Sequence, residues 1–165
     1  MKRTTQNIIM KRKKRIGLVA HDNRKKDLLE WVEWNWKTLA GHDLICTGTT
    51  GNMIEALVFT KLNKSDQKAF KIKKLKSGPL GGDQQLGAMI AEGKIDLLIF
   101  LWDPMMPQPH EVDVKALLRM TVLYNLPTAC NRASADYMIS SDLMDSDYKP
   151  AINDFSEYTK RKIEL

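Results

Sequence analysis

The segment Ser77–Pro104, SGPLGGDQQLGAMIAEGKIDLLIFLWDP, decides the fold. It starts with a glycine-rich turn, continues with apolar residues at helical spacing, and ends in DLLIFL, which is apolar on consecutive residues. Strands that are covered on both faces of a parallel sheet have this last pattern. The segment therefore predicts a helix that leads into a buried parallel strand.

The alternation of strand and helix extends in both directions from this segment. The apolar runs predict five strands, at residues 15–20, 44–47, 70–75, 96–101 and 127–130. Apolar residues three and four apart predict helices at 25–39, 52–60, 84–92, 112–124, 133–139 and 154–163. Strands and helices in this order are typical of an α/β fold, so we expect a doubly wound, Rossmann-like, five-stranded parallel sheet.

The composition predicts a soluble intracellular protein. A chain of 165 residues suits a single domain, which we place at residues 15–165 after a basic N-terminal extension at 1–14. No apolar stretch reaches the ~20 residues needed to cross a bilayer, and the start has no signal-peptide pattern, so we expect neither membrane association nor export. Cys46 and Cys130 lie in apolar runs without metal-ligand spacing, which favours reduced, buried thiols.

The formal charge of +6 comes largely from the basic start and a lysine-rich stretch at 61–74. Neither has the interleaved aromatic residues on which bases stack, so we expect no nucleic-acid partner. A solvated basic surface or attraction for a small anion explains the charge. We interpret the tryptophans of WVEWNW, residues 31–36, as residues that pack in the hydrophobic core and contact another subunit.

Short polar motifs follow each predicted strand: HDN, TGTTGN, SGPLGGDQQ, WDPMMPQPH and NRASAD. The carboxyl ends of parallel strands share one edge of the sheet, and open α/β sheets bind ligands outside that edge. We therefore expect these loops to form one site.

The motif TGTTGN, residues 47–52, predicts a phosphate site. A Gly-Thr-Thr-Gly turn that opens a helix offers backbone N–H groups, two hydroxyls and the positive end of the helix dipole. It is neither a Walker loop nor GxGxxG, which disfavours nucleoside triphosphates and dinucleotides. A capped helix start with no ligand remains an alternative.

In SGPLGGDQQ, Ser77 and Gly78 can approach the same anion, and Asp83 stands at the start of the next helix. Asp83 is either an ordinary residue of a helix first turn or a base. A carboxylate beside a bound anion would have a raised pKa, which suits proton abstraction next to a carbonyl.

Further acid–base candidates lie on the other loops. They are His21 and Asp22 after the first strand, Asp103 after the fourth, and His110 and Asp113 at a helix entry. Together these side chains can supply an acid, a base and an electrophile. No HExxH or comparable spacing is present, so we expect no metal; His42 is given no role.

With these loops in view, the chain resembles the methylglyoxal synthase family. The resemblance covers most of residues 15–140 and is carried by VAHD (19–22), TGTTGN (47–52), the segment 77–104, PH (109–110) and DVKALLR (113–119). It implies a cytoplasmic, cofactor-independent carbon–oxygen lyase that converts dihydroxyacetone phosphate to methylglyoxal and inorganic phosphate, as a bypass of glycolysis. It also implies a homohexamer that phosphate inhibits.

The resemblance assigns a role to each matching residue. Asp83 becomes the catalytic base, His110 polarises the carbonyl and moves protons between oxygens, and Asp113 completes the catalytic set. Asp22 and Asp103 support the site. Substrate binding falls to His21, Lys25, Thr47, Gly48, Thr49, Thr50, Ser77, Gly78 and His110.

The chain departs from the family pattern in two places. Between TGTTGN and SGP it is about ten residues longer, which adds the lysine-rich stretch at 61–74 and alters the local surface. Arg161 and Lys162 match the family's tail weakly and are not counted as site residues. The rival interpretations are a regulatory, effector-binding module of the same fold and a metal-dependent phosphohydrolase.

Overall fold

The predicted α/β fold is confirmed by a computed structural model, which describes residues 9–107, 109–152 and 154–160. Its sheet has five strands, all parallel: β1 Arg15–Ala20, β2 Asp43–Cys46, β3 Lys71–Lys74, β4 Leu97–Leu101 and β5 Thr128–Ala129. Each predicted strand is present, and no end of a strand differs from the prediction by more than one residue.

The strand order is β3-β2-β1-β4-β5. The chain builds one half of the sheet outward from β1, and then returns to add β4 on the other side of β1. The order therefore reverses between β1 and β4, where a crevice opens at the carboxyl ends of the strands.

Eight helices are described, several of them short. They are α1 Lys25–Trp34, α2 Trp36–Leu39, α3 Gly48–Lys61, α4 Lys64–Gln67, α5 Gly82–Ala91, α6 Glu111–Leu123, α7 Arg132–Ile139 and α8 Ser156–Thr159. Three short 3₁₀ helices occupy Asp22–Arg24, Gly78–Leu80 and Asp142–Asp145. No helix among the described residues is long and apolar enough to span a membrane.

Two apolar cores cover the two faces of the sheet. On one face β1 and β4 pack against α1, α3 and α7, with Trp31 and Ile54 among the fully buried side chains. On the other face the alternate residues of the same strands pack against α5 and α6, around Leu86, Phe100 and Leu117. The sheet is thus the middle of three layers, which explains why β4 is buried at every position.

Two helices differ from their predicted bounds. The helix predicted at 25–39 is interrupted at Asn35, whose side-chain amide donates a hydrogen bond to the Trp31 carbonyl at 2.9 Å and so competes with the helix backbone. The helix predicted at 52–60 begins instead at Gly48. The Gly-Thr-Thr-Gly turn is therefore the first turn of α3 and not a loop in front of it.

The lysine-rich stretch has a defined local structure. Asn63 caps α4, because its side-chain oxygen accepts hydrogen bonds from the N–H groups of Ser65 and Asp66. The chain then forms β3 at the edge of the sheet, where Lys71, Lys73 and Lys74 are exposed. Charged side chains on an edge strand oppose pairing with another sheet.

The described ends of the chain pack against the domain. Met10 is buried and forms an isolated antiparallel bridge with Tyr148. Of the helix predicted at 154–163, Ser156–Thr159 is helical, while residues 161–163, which include Arg161 and Lys162, lie outside the described residues. Trp31 belongs to the core and Trp34 is 85% exposed, so the tryptophan cluster is divided between interior and surface.

A buried ion pair joins β1 to β4 at the amino ends of the strands. Asp96 is 1% exposed, and its carboxylate accepts hydrogen bonds from the backbone N–H, Nε and Nη2 of Arg15 at 2.7 to 2.9 Å. In return the Asp96 N–H donates to the Arg15 carbonyl. The pair thus aligns the two central strands at the edge opposite the crevice.

Replacing this carboxylate should destabilise the protein. In Asp96→Ala the Arg15 groups lose a buried charged acceptor, so we expect the free energy of unfolding to fall by about 2 to 3 kcal/mol. Guanidinium unfolding at fixed protein concentration measures the change. The control is Glu92→Ala, which breaks an exposed pair with Lys94 and should cost less than about 1 kcal/mol. Equal losses in the two variants would contradict the role given to Asp96.

Candidate active site

The crevice between β1 and β4 collects side chains from five segments. His21, Asp22 and Lys25 follow β1, Thr47 and the first turn of α3 follow β2, and Ser77 and Gly78 follow β3. Asp83 lies in the first turn of α5, and His110 is the residue before α6. These segments bring together residues that are 89 positions apart in the chain.

A cavity of about 240 Å³ lies between these side chains. Its size and polar lining suit a small, polar ligand. The lining residues are Val19, Ala20, His21, Asp22, Lys25, Thr47, Thr49, Thr50, Ser77, Gly78, Pro79, Asp83, Phe100 and His110.

Asp83 and His110 are neighbours in the cavity lining. Asp83 is 3% exposed, and its Oδ2 lies 3.5 Å from Nε2 of His110, beyond the range of a good hydrogen bond. No hydrogen-bond partner of Asp83 Oδ2 or of His110 Nδ1 is found among the described residues. Burial raises the pKa of Asp83 above its ordinary value, although His110 opposes the shift. A buried carboxylate with a raised pKa and an unused oxygen can accept a proton from a ligand.

Two glycines allow close packing of the backbone at this site. A Cβ on Gly78 would lie 2.8 Å from His110 Nε2 and 3.2 Å from Asp83 Oδ2. A Cβ on Gly82 would lie 2.1 Å from the Lys76 carbonyl oxygen, which no side chain can accommodate. Gly78 therefore lets the backbone lie directly against the carboxylate and the imidazole, and Gly82 lets it lie against the backbone of Lys76 and Ser77.

His21 lies next to this pair. Its ring meets those of His110 and Phe100 edge to face, with centroids 5.9 and 5.2 Å apart. The backbone N–H of Asp103 donates to His21 Nδ1 at 3.3 Å, so a neutral His21 carries its proton on Nε2. Burial lowers the pKa of His21, and the neighbouring His110 lowers it further. His21 is thus a neutral hydrogen-bond donor among the residues that line the cavity.

The other side of the cavity suits an anion. The N–H groups of Thr49 and Thr50 lie in the first turn of α3 and have no intrahelical acceptor, and the helix dipole adds positive potential there. The hydroxyls of Thr47 and Thr50 are 3.3 Å apart. The Lys25 side chain, 15% exposed, is held by an ion pair with Asp22, and Lys25 lowers the pKa of that carboxyl group. Together they form a cradle of hydrogen-bond donors and positive charge that suits an anion.

Three predicted site residues lie outside the lining. The Gly48 N–H donates to the Lys76 carbonyl at 3.1 Å, so it is already engaged. The Asp103 carboxylate accepts from Asn23 Nδ2 and from the Met105 N–H. Asp113 lies in the first turn of α6, where its charge raises the pKa of Asp83. These residues can influence the cavity through their neighbours.

Sequence reasoning missed several lining residues. Phe100 and Pro79 gave no polar signal, although Phe100 is next to the last residue of β4 and could have been found as the aromatic position nearest the carboxyl end of that strand. Val19 and Ala20 line the cavity for the same reason, at the end of β1. No group of three or more His, Cys, Asp or Glu side chains suited to a metal ion is found among the described residues.

Comparison with known proteins points to one family. The family model described as "MGS-like domain" matches residues 28–130. A methylglyoxal synthase of Maridesulfovibrio salexigens is 53% identical over 157 residues, which cover 93% of this chain and all of that protein. One of Leptospira interrogans is 50% identical and covers 90% of this chain and 93% of its own. The crystal structure of methylglyoxal synthase from Elizabethkingia anophelis matches with a TM-score of 0.82 and 47% identity, over 94% of this chain and 96% of that one.

Removing the Asp83 charge should stabilise the protein. Because the pKa of Asp83 is raised on folding, its favourable contribution is complete below the ordinary value of 3.8 and is lost as pH rises through the folded-state pKa. In Asp83→Asn this loss is absent, so we expect the melting temperature at pH 7.5 to rise by roughly 2 to 4 °C. The advantage should shrink as the pH approaches 4. Calorimetry across this pH range measures both effects.

Asp22→Asn provides a control of opposite sign. Lys25 lowers the pKa of Asp22, so that carboxylate stabilises the folded state above pH 3.8 and the stabilisation is lost as pH falls. The Asp22 side chain is exposed, which makes the effect small. A melting temperature of Asp83→Asn below that of the unchanged protein at pH 7.5 would contradict the raised pKa.

Proposed function

The chain belongs to the methylglyoxal synthase family, and from this premise we propose that it converts dihydroxyacetone phosphate to methylglyoxal and inorganic phosphate. The observation that carries the proposal is the pairing of a buried, unsatisfied carboxylate, Asp83, with His110 beside an anion cradle. A base, an imidazole and a phosphate site are what this elimination requires. A module that only binds effectors needs no buried base.

The phosphate group would occupy the cradle at the first turn of α3. Thr49 and Thr50 would donate backbone N–H bonds, Lys25 would supply a positive charge, and Ser77 would donate its hydroxyl. Gly78 would let the backbone lie close to the ligand.

Two further residues would support these contacts indirectly. Thr47 would position the Thr50 hydroxyl. Gly48 would act through the turn geometry, because its N–H is already used.

Asp83 is the proposed base. It would take a proton from the hydroxymethyl carbon, so that the C–H electron pair forms a carbon–carbon double bond and the carbonyl oxygen gains negative charge. The raised pKa brings the carboxyl group closer to the strength that proton abstraction near neutral pH requires. Asp113 would support this role because its charge raises the same pKa.

The imidazoles would stabilise the enediolate. His21 would present a neutral N–H to the substrate, and His110 has Nε2 3.5 Å from Asp83 Oδ2 and an unpaired Nδ1. Hydrogen bonds from neutral imidazoles can stabilise the developing oxyanion, and His110 can move protons between the two oxygens. Asp22 would hold Lys25, and Asp103 would hold His21.

The last step expels phosphate. The hydroxyl on the deprotonated carbon gives up its proton and becomes the aldehyde, the double bond shifts toward the phosphate-bearing carbon, and the C–O bond breaks with its electron pair on phosphate. The released enol then tautomerises to methylglyoxal. Expulsion requires the C–O bond to stand roughly perpendicular to the enediolate plane, so the cradle serves orientation as much as affinity.

Several wider properties belong to the same proposal. The enzyme would be a cytoplasmic carbon–oxygen lyase that needs no cofactor and assembles as a homohexamer. Inorganic phosphate, which resembles the leaving group, would compete for the cradle and inhibit.

We expect the purified protein to release methylglyoxal and phosphate in equal amounts from dihydroxyacetone phosphate. The proposed steps use only side-chain and backbone groups of this chain, so addition of EDTA should not change the rate. A coupled assay for methylglyoxal and a phosphate assay measure the two products. No release at millimolar substrate would refute the proposed reaction, and loss of activity with EDTA would favour a metal-dependent phosphohydrolase.

Asp83→Asn should lose turnover by about 10² to 10⁴-fold or more, because an amide cannot accept the proton. Substrate binding, measured by calorimetry, should persist since the cradle is unchanged. Asp66→Asn is the matched control on α4, where its carboxylate contacts Asn63, and it should keep full activity. Near-normal turnover in Asp83→Asn would overturn the role of Asp83 as base.

A further inference from the structure

We propose that Asn23 is a positioning residue for His21, acting through Asp103 to hold the imidazole proton on Nε2, where it faces the cavity. The inference rests on the proposed function for its catalytic consequence. Its structural part, the tautomer of His21, stands on the contacts alone.

Two contacts connect Asn23 to His21 through Asp103, and a third anchors Asp103. The Asn23 side-chain amide donates to Asp103 Oδ2 at 2.9 Å, and the Met105 N–H donates to Asp103 Oδ1 at 3.0 Å. The backbone N–H of Asp103 donates to His21 Nδ1 at 3.3 Å. A carboxylate can only accept, so the orientation of the Asn23 amide follows from its partner. The chain of contacts runs between segments 80 residues apart in sequence.

The tautomer matters because of where the second nitrogen lies. His21 is 5% exposed, and its Nε2 is buried with no hydrogen-bond partner among the described residues. His21 also lines the cavity. With Nδ1 used as an acceptor, Nε2 must carry the proton of the neutral ring, so it can donate to an oxygen of the ligand. In the opposite tautomer Nε2 would be an acceptor and would repel that oxygen.

The hydrogen bond from the Asp103 N–H to His21 Nδ1 is the weakest of these contacts. At 3.3 Å the N–H to Nδ1 bond is near the long limit for a hydrogen bond, so a small rotation of the Asp103 peptide would break it. Among the described residues two groups anchor the Asp103 carboxylate, the Asn23 side chain and the Met105 backbone N–H. The hydrogen bond from Asn23 is also the leading cause of the lowered pKa of Asp103, which keeps that group charged.

Asn23 itself is exposed, on the 3₁₀ turn between β1 and α1. Substitutions of exposed residues usually change stability by less than about 0.5 kcal/mol. An effect of Asn23 on the His21 ring would therefore report positioning, and not loss of the fold.

The direct test is ¹⁵N NMR of the histidine side chains in the full chain. The protein has three histidines, so the spectrum is simple. We expect His21 to be the Nε2–H tautomer in the unchanged protein, and the Nδ1–H form to become detectable in Asn23→Ala and Asn23→Asp, neither of which can donate to Asp103. Asn23→Gln keeps a donor and should restore the original tautomer.

His42 is an internal control in the same spectrum. Its Nδ1 accepts from the Lys14 N–H at 3.1 Å, so it should have the same tautomer as His21. Its contacts are independent of Asn23, and its signals should not change in any of the variants.

The kinetic test uses dihydroxyacetone phosphate with the same variants. We expect kcat to fall about fivefold in Asn23→Ala, the value of one ordinary hydrogen bond, with melting temperature unchanged. Lys26→Ala, another exposed residue close to the turn, is the control and should keep its kcat.

The two tests separate the inference from the proposed function. If the unchanged protein has no activity on dihydroxyacetone phosphate, the proposed reaction fails, while the NMR result still decides the role of Asn23. If the tautomer of His21 is the same in all variants, the inference is wrong whatever the activity. Unchanged kcat with an altered tautomer would refute the catalytic part.

Discussion

The pairing of β1 with β4 is the constraint on which the site depends. These strands are neighbours in space, although 80 residues lie between their last members, Ala20 and Leu101, which are opposite each other in the register. The ladder continues one step further, since the His21 N–H donates to the Leu101 carbonyl at 3.2 Å. That step places His21 beside the residues that follow β4. The two cores and the Arg15–Asp96 pair hold the register, and the register in turn sets the distance between His21 and Asp103.

The site also concentrates the unfavourable features of the structure. Asp83 and His21 each bury a polar atom that has no hydrogen-bond partner among the described residues, and His110 and Trp102 do the same. Unsatisfied buried polar atoms are rare and destabilising, and they persist where other packing holds them. Here the packing comes from the glycine turns and from the fully covered strand β4. The cavity is therefore pre-organised before a ligand arrives, and a ligand would satisfy atoms that the protein leaves unpaired.

Much of the fold could be predicted because local sequence patterns indicate its strands and helices. Consecutive apolar residues indicated β1 and β4, and helical spacing indicated α5 and α6 to within two residues. The predicted helix bounds differ from those of the structure where tertiary or side-chain contacts compete with local patterns. α1 ends early because Asn35 bonds to its own helix backbone. α3 begins inside the glycine motif because the turn after β2 packs against the chain around Lys76.

The sequence by itself determined the fold class, the sheet edge that carries the polar motifs, and the family to which those motifs belong, because apolar periodicity and motif spacing are local properties of the chain. Only the tertiary structure decided which motif residues face the cavity. Gly48 and Asp103 stand inside their motifs, yet their polar groups bond to other parts of the protein. The 3.5 Å separation of Asp83 and His110 and the tautomer of His21 depend on contacts between distant segments, and the energy of such contacts is set by packing and burial, which no local pattern records.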